Sequence, residues 1–586
     1  MTGSRIACDL ASEVAAKDRI GFARSLAAAA TAAYCRAAGV PLRPLVDAGA
    51  MPLGTSASLE AARLGARAAA SGPGEAARLI GAAYAMALPG DHRALHGVFY
   101  TPPPLVEHLL DMAEGAGADL RTARVLDPAC GGGAFMVAAA ARMAARLAAL
   151  EPALALRRIG RQLRGFELDP FGAWLAQAMI DAQLAPLALR AGRAAPVVVE
   201  QRDSLDLRAC DAGRFDVVIG NPPYGRVTPP PERRAIYARS TYGHANLYGL
   251  FTDAALRWAA PGGVVAYVTP TSMLSGLYYK SLRALLRREA PPTALGLVAE
   301  RAGVFDGVLQ ETMLAVYVRD GAEPARGRSI GFLNLDASGG VCSRPAGTFT
   351  LPPCAEAPWL LPRTPDQVAL TRQLRRMPHR LSDYGYRVST GPLVWNRHKS
   401  QLGAARGGDG YPVVWAESVT ADGRFAWRTE RRNHAPWLRA DLPRDAWLLT
   451  HRPCVLLQRT TAKEQARRLI AAEIPADFIR RHGAVAIENH LNMVRPAVAV
   501  PCVPSSAVAA FLNSASADGA FRCINGSVAV SAYELEGMPV PPPAVMLRVA
   551  DLLASGAPRL DVEDTLAAAY RGEAATRCRQ DADAAA

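Results

Sequence analysis

The chain has 586 residues, half of them hydrophobic and 20% charged, with 66 Lys+Arg against 53 Asp+Glu and a formal net charge of +13. That composition excludes a disordered chain, and at roughly 100–200 residues per domain the length predicts two to four domains. No run of about 18 uninterrupted apolar residues occurs, so no membrane span is expected.

Residues 1–90 are rich in Ala, Arg and Leu, broken by Gly and Pro, and predict short helices without visible chemistry. The N-terminus mixes acids with bases and has no apolar core, so no signal peptide is read. Between about 96 and 320, short apolar runs alternate with helix-length segments. The runs are Ala123–Leu126, Leu163–Leu168, Pro196–Val199, Phe215–Ile219, Gly263–Val268, Ala294–Val298 and Met313–Val318. Ala134–Leu150 and Phe171–Leu184 are among the helical stretches. Strands alternating with helices predict βαβ units and a mostly parallel sheet, which binds ligands beyond the C-terminal ends of its strands.

Four motifs fall at such strand ends. Val125-Leu-Asp-Pro-Ala-Cys-Gly-Gly-Gly-Ala-Phe135 ends a strand at Asp127 and opens a helix near Ala134. Its glycines permit a tight turn and close approach to a ligand. It is neither a Walker loop nor a GxGxxG fingerprint, and an ordinary strand-to-helix turn shares its pattern. Gly165-Phe-Glu-Leu-Asp169 puts a carboxylate, Glu167, where two vicinal ribose hydroxyls can donate to it. Gln201-Arg-Asp-Ser-Leu205 offers Asp203 as an acceptor for an adenine amine, or as a plain surface aspartate. Asp216-Val-Val-Ile-Gly-Asn-Pro-Pro-Tyr-Gly225 is the most specific. Two prolines stiffen the loop and carry no backbone N–H, leaving carbonyl oxygens free to accept. The carbonyls of Asn221 and Pro222 can together grip both hydrogens of an exocyclic amine, and Tyr224 offers a face for base stacking.

On these residues, the segment 96–320 resembles the class I, S-adenosylmethionine-dependent amino-methyltransferases in gamma-class motif order. It is most similar to type II adenine-N6 DNA methyltransferases with a C-terminal target-recognition domain. The resemblance implies a Rossmann-like α/β sheet with helices on both faces, a mixed α/β C-terminal DNA-recognition domain and a helical N-terminal extension. It places the cofactor against Tyr100 and Thr101 of Gly97-Val-Phe-Tyr-Thr-Pro-Pro103, against Asp127, Pro128, Ala129, Cys130, Gly131 and Gly133, and against Glu167 and Leu168. Asp203, Ser204, Asn221 and Pro223 complete that set. It makes Asn221, Pro222, Pro223 and Tyr224 the catalytic tetrapeptide, with Phe305 of Gly303-Val-Phe-Asp-Gly307 as a second aromatic against a flipped base. Asparagine at the first position of the tetrapeptide favours adenine N6 in that family. RNA and protein-glutamine methyltransferases are the rival enzymes, the glutamine enzymes sharing Asn-Pro-Pro-Tyr but being much shorter. A DNA-binding specificity subunit with a decayed catalytic domain is the non-enzymatic alternative, against which the intact tetrapeptide and Asp127 speak.

Residues 331–380 are rich in Pro, Gly and Ser and read as a linker between a methyltransferase domain over 91–330 and a recognition domain over 381–545. In the latter, tryptophans recur among arginines, and residues 381–480 carry 16 Lys+Arg against 10 Asp+Glu. Arg397, Lys399, Arg459, Lys463, Arg467 and Arg468 are candidates for phosphates or guanine edges, or plain solvated bases. Residues 546–586 read as a helical tail. The basic excess suits a polyanion, but only four bases are lysine and 62 are arginine, which points to GC-rich coding. Those lysines test for a nuclease (D/E)xK triad. Ala15, Tyr278, Arg397 and Thr461 stand two residues before them, none acidic. Ten scattered cysteines make no CxxC pair and no zinc cluster. The expectation is a cytoplasmic, monomeric enzyme without a metal, acting on double-stranded DNA beside a separately encoded restriction endonuclease.

Overall fold

The computed structural model describes residues 3–45, 49, 51–96, 101–298, 311–319, 329–335, 340–406, 410–429, 431, 434–460, 467–525 and 529–573. The chain divides into two compact units, residues 1–273 with 278–351, and residues 274–277 with 352–586.

In the first unit, α1 (Gly3–Ser12), α2 (Arg19–Ala38), α3 (Thr55–Ser71), α4 (Pro73–Ala87), α5 (Gly90–His96) and α6 (Pro103–Gly115) precede the sheet. Then come β1 (Val125–Asp127), α7 (Ala134–Arg146), α8 (Pro152–Gln162), β2 (Leu163–Glu167), α9 (Pro170–Ala191), β3 (Val199–Gln201) and β4 (Phe215–Gly220). A short ribbon of β5 (Arg226–Val227) and β6 (Ala245–Asn246) flanks α10 (Pro231–Ile236). The unit closes with α11 (Leu247–Trp258), β7 (Ala259–Pro270), α12 (Lys280–Glu289), β8 (Pro292–Val298), β9 (Thr312–Arg319), β10 (Ser329–Leu335) and β11 (Val341–Gly347).

Among the described residues the main sheet has nine strands in the order β11-β10-β8-β9-β7-β4-β1-β2-β3. From β3 to β7 all pairings are parallel, and β9 enters antiparallel between β7 and β8. Parallel strands covered on both faces read as unbroken apolar runs, which is why the seven runs marked in the sequence fall on β1–β4 and β7–β9 within a few residues. Val125, Val217 and Val264 share a core with α7–α9 on one face, whereas Phe166 meets Trp258 of α11 edge-on at 6.3 Å on the other. The chain turns from β1 to β2 on one side and reaches β4 on the other, so a switch point opens at the carboxyl end of β1.

The helices before residue 90 share the core of the sheet: Phe22, Leu26, Leu64 and Ile80 belong to the same buried cluster as Phe135, Leu175 and Met179. One expectation about organisation changes. Part of the supposed linker over 331–380 is strand. β10 lies parallel beside β8 because an apolar run, with Leu333 buried, continues the sheet, and β11 pairs with it at the edge. Pro345 is tolerated there because an edge strand has one side without ladder partners.

The second unit holds a four-stranded antiparallel sheet in the order Tyr386–Thr390, Leu491–Pro496, Val455–Gln458, Ala471–Glu473. A second, five-stranded sheet runs through Gly410–Val414 and Val485–Ile487. Helices Pro543–Ala554 and Arg559–Arg571 share a core with the four-stranded sheet through Met546, Val549 and Leu566. Of the recurring tryptophans, Trp415 is buried and stacks on His434 at 4.0 Å, whereas Trp447 is 61% exposed. Three of the candidate DNA-binding bases are tied inside this unit. Arg459 donates to the Asn489 carbonyl, Arg467 donates to those of Asn513 and Ala421, and Arg468 is buried. Arg397 and Lys399 are exposed, with Lys399 Nζ 5.0 Å from the Trp395 ring centre. Lys463 lies outside the described residues.

Candidate active site

At the switch point the carboxyl ends of β1, β2, β3 and β4 surround a cavity of about 430 Å³, within the usual size of small-molecule sites. Each wall comes from one of the motifs. The turn after β1 supplies Asp127, Pro128, Ala129, Cys130 and Gly131. At the next turn, Gly133 has φ +89, a left-handed conformation that glycine adopts without strain. It stands behind the wall, where a Cβ would meet Ala176 Cα of α9 at 3.0 Å, so the loop lies flat on that helix.

Glu167, at the end of β2, accepts from the backbone N–H of Gly131 at 2.8 Å and of Asp169 at 2.9 Å. Its carboxylate is thereby aimed into the cavity, and burial pushes its pKa up. Leu168 lines the cavity while 58% exposed, leaving an apolar face open. Asp127 is almost wholly buried. Burial raises its carboxyl to about 8; the Ala129 N–H opposes the shift and the negative charge of Glu167 adds to it.

After β3, Asp203 accepts from Leu205 N–H at 2.9 Å and pairs with Arg233 of α10 at 2.8 Å. Its carboxylate therefore already has a cationic partner at the cavity wall, which the sequence did not reveal. Ser204 is buried and donates to the Pro128 carbonyl at 2.5 Å, tying this loop to the one after β1.

After β4 the tetrapeptide enters. Asn221 and Pro223 line the cavity, and Pro222, between them in the chain, is buried. Tyr224 is buried as well. Its hydroxyl donates to Asn221 Oδ1 at 2.7 Å and lies 3.2 Å from the Val268 carbonyl, while its ring meets Tyr248 edge-on at 6.0 Å. Asn221 Nδ2 donates to Thr101 Oγ1 at 3.1 Å. Both ends of the amide are thus held, and its orientation is set by the protein. Thr101, read from the sequence as a cofactor contact, is also a partner of the tetrapeptide. Tyr100 and Phe305 lie outside the described residues.

Sequence reading missed Gly81, Tyr84 and Ala85 of α4, Gly132, Gly172 and Arg233, all of which line the cavity. Nothing in the local sequence of α4 marks it: its lining residues sit in an ordinary amphipathic helix. Among the described residues, no group of three or more His, Cys, Asp and Glu is placed to hold a metal, and no helix is long and apolar enough to cross a membrane.

A strand order β3-β2-β1-β4-β7-β9-β8 with β9 antiparallel, and acids at the ends of β1 and β2 around one cavity, define a class I methyltransferase fold, whose methyl donor is S-adenosylmethionine. Residues 195–292 match the family model described as Eco57I restriction-modification methylase. It is 24% identical over 344 residues to the Type II methyltransferase M.BsuBI of Bacillus subtilis, covering 58% of this chain and 68% of that protein. It is 24% identical over 345 residues to the Type II methyltransferase M.PstI of Providencia stuartii, covering 56% of this chain and 65% of that protein. The fold is similar to that of the Type IIL restriction-modification enzyme MmeI, solved in complex with DNA, with TM-score 0.52 and 13% identity over 94% of this chain and 88% of that one.

The cavity residues fit S-adenosylmethionine. A buried carboxylate held by two backbone N–H groups suits a ribose diol, the uncovered Leu168 suits a purine face, and the lining acids Asp127, Glu167, Asp169 and Asp203 suit a ligand with two positive centres.

Proposed function

We propose that this protein is a DNA methyltransferase of a restriction-modification system, transferring a methyl group from S-adenosylmethionine to adenine N6 in duplex DNA. The observation that carries the reading is the doubly held amide of Asn221 on the rim of the cofactor cavity. The names of the relatives, Type II methyltransferases, supply the class of substrate.

The adenine amino lone pair is delocalised into the ring and is a poor nucleophile. Asn221 Oδ1 has a second lone pair beside the one that Tyr224 uses, and the Pro222 carbonyl has no competing N–H of its own. Accepting both amine hydrogens at these two oxygens localises the nitrogen lone pair. Because Thr101 and Tyr224 fix the amide beforehand, no reorganisation is needed as charge develops. When bound, S-adenosylmethionine supplies an electrophilic sulfonium methyl, so the chain needs no covalent nucleophile of its own. Asp127, Glu167, Leu168 and Asp203 bind and orient, with the Arg233 pair at Asp203 opening or sharing its oxygen with an adenine amine. The target base reaches the pocket by leaving the helix stack, at a cost of about a few kcal/mol. Stacking on the Tyr224 ring offsets part of this, and Phe305, outside the described residues, is the second aromatic proposed for that role.

The exposed bases Arg397 and Lys399 belong to a recognition module over 381–545. We further propose a monomer, with a separately encoded endonuclease cutting the unmodified site. The test is transfer of labelled methyl to duplex DNA, RNA and protein, followed by digestion of the product. Label in N6-methyladenine of duplex DNA is expected. Label in cytosine, RNA or protein would overturn the reading.

A further inference from the structure

The N-terminal helices carry no motif, yet they reach the cofactor cavity. From α4, Tyr84 lines it, and its hydroxyl donates to Asp169 Oδ2 at 3.0 Å. From α2, Arg24 Nη2 pairs with Asp169 Oδ1 at 2.8 Å, with both side chains less than a third exposed. Each carboxylate oxygen of Asp169 is therefore engaged by a different N-terminal helix. The same residue caps α9, accepting from Phe171 N–H at 3.3 Å, and its own N–H donates to Glu167 Oε1 at 2.9 Å. The Tyr84 ring rests on Phe171 with centroids 4.8 Å apart. A continuous chain of contacts thus runs from α2 and α4, through Asp169, to the carboxylate of Glu167.

The contact is more than general packing. A second ion pair between the same regions, Arg43 with Asp181 at 2.5 Å, lies farther along α9, and neither residue lines the cavity. It serves as an internal control for what merely fastens the N-terminal segment to α9.

We propose that Arg24 and Tyr84 are positioning residues for cofactor binding: by fixing Asp169 they hold the β2–α9 turn so that Glu167 meets the ribose diol. This rests on the S-adenosylmethionine reading of the cavity. The diol is the group that Glu167 reads, so the effect is specific to it. Losing Arg24 or the Tyr84 hydroxyl leaves Glu167 in place but less well aimed, and the penalty falls on ligands that carry both hydroxyls.

The experiment is calorimetric titration of the full chain with S-adenosylhomocysteine and with its 2′-deoxyribose analogue. The proteins are wild type, Arg24→Met, Arg24→Lys, Tyr84→Phe and Arg43→Met, each checked for an unchanged circular dichroism spectrum. Arg24→Met and Tyr84→Phe are expected to weaken S-adenosylhomocysteine roughly tenfold, the loss typical of one hydrogen bond to a charged group, and the deoxy analogue much less. Arg24→Lys recovers part of the loss, and Arg43→Met binds both ligands as wild type does. In methylation of unmodified plasmid DNA, the KM for the cofactor rises and kcat holds. Equal losses for both ligands, no loss, or a fall in kcat at constant KM would overturn the proposal. Wild type failing to bind S-adenosylhomocysteine would instead strike the cofactor reading itself.

Discussion

Gly220 and Asp127 stand side by side on neighbouring strands, so close that a Cβ on Gly220 would meet Asp127 Oδ1 at 2.6 Å and Cγ at 3.2 Å. The residue before Asn221 must therefore be glycine if Asp127 is to keep its place at the end of β1. Gly220→Ala forces the carboxylate or the β4 backbone to shift, and overpacking of this kind costs about 1–3 kcal/mol. A lower urea midpoint and a loss of cofactor affinity are expected together, measured on the same protein. Normal affinity with normal stability would mean that the two strands yield more easily than their packing implies.

Asn221 is held from two sides, and its two partners contribute separately. Asn221→Ala removes the acceptor and should lower single-turnover methyl transfer by roughly 10²–10³-fold, as loss of one preorganised dipole does in other enzymes, while cofactor titration is largely retained. Tyr224→Phe keeps the ring but frees Asn221 Oδ1. Its loss should be smaller than that of Tyr224→Ala, which also removes the stacking face. If Tyr224→Phe were as slow as Tyr224→Ala, the hydroxyl and not the ring would dominate.

The parts of this site that could be read from the sequence are those whose chemistry and position coincide locally. Asp127 and Glu167 close β1 and β2, and Asn221 follows β4 by one residue; these strands coincide with apolar runs, which are what a buried parallel strand requires. Tyr84 and Arg24 were invisible because their partner, Asp169, lies 85 and 145 residues away. A tyrosine on an amphipathic helix has the same sequence signature whether it faces a cavity or a core. Arg233 was hidden for the same reason, its partner Asp203 lying 30 residues back in another loop. In the second unit, composition showed that bases were abundant but not that Arg467 would spend its donors on the carbonyls of Asn513 and Ala421.

Arg202 precedes Asp203 and forms a buried pair with Asp211 at 2.8 Å, the side chains 4% and 7% exposed. Its guanidinium also sits 4.3 Å from the centre of the Phe166 ring on β2. Arg202→Met leaves the Asp211 charge deep in the unit, where among the described residues its remaining ion-pair partner is Arg214 at 4.0 Å. Breaking one side of such a pair costs about 3–5 kcal/mol, whereas replacing both partners by apolar residues is often neutral. Urea unfolding should therefore show a large loss for Arg202→Met and substantial recovery in Arg202→Met with Asp211→Leu. A single variant as stable as wild type would show that solvent reaches this pair.

The carboxyl of Asp127 ties stability and cofactor binding to pH. Burial raises it to about 8, with Glu167 adding to the shift and the Ala129 N–H opposing it; Tyr267 and Cys130, which also feel its charge, are themselves raised by burial. In the unfolded chain an aspartate titrates near 3.9, so between about pH 4 and 8 the native state holds the extra proton. The stability this provides is complete below about pH 4 and is lost as pH rises through 8. Asp127→Asn removes that loss, and the variant should gain on wild type by up to a few kcal/mol between pH 5 and 9 while binding cofactor more weakly. A cationic ligand beside Asp127 lowers its pKa, so binding near pH 7 should expel protons. Titrations in phosphate and in Tris would then give heats that differ with the ionisation enthalpy of the buffer, and the difference should shrink in Asp127→Asn. Equal heats in the two buffers for wild type would show that Asp127 does not change its protonation when the ligand binds.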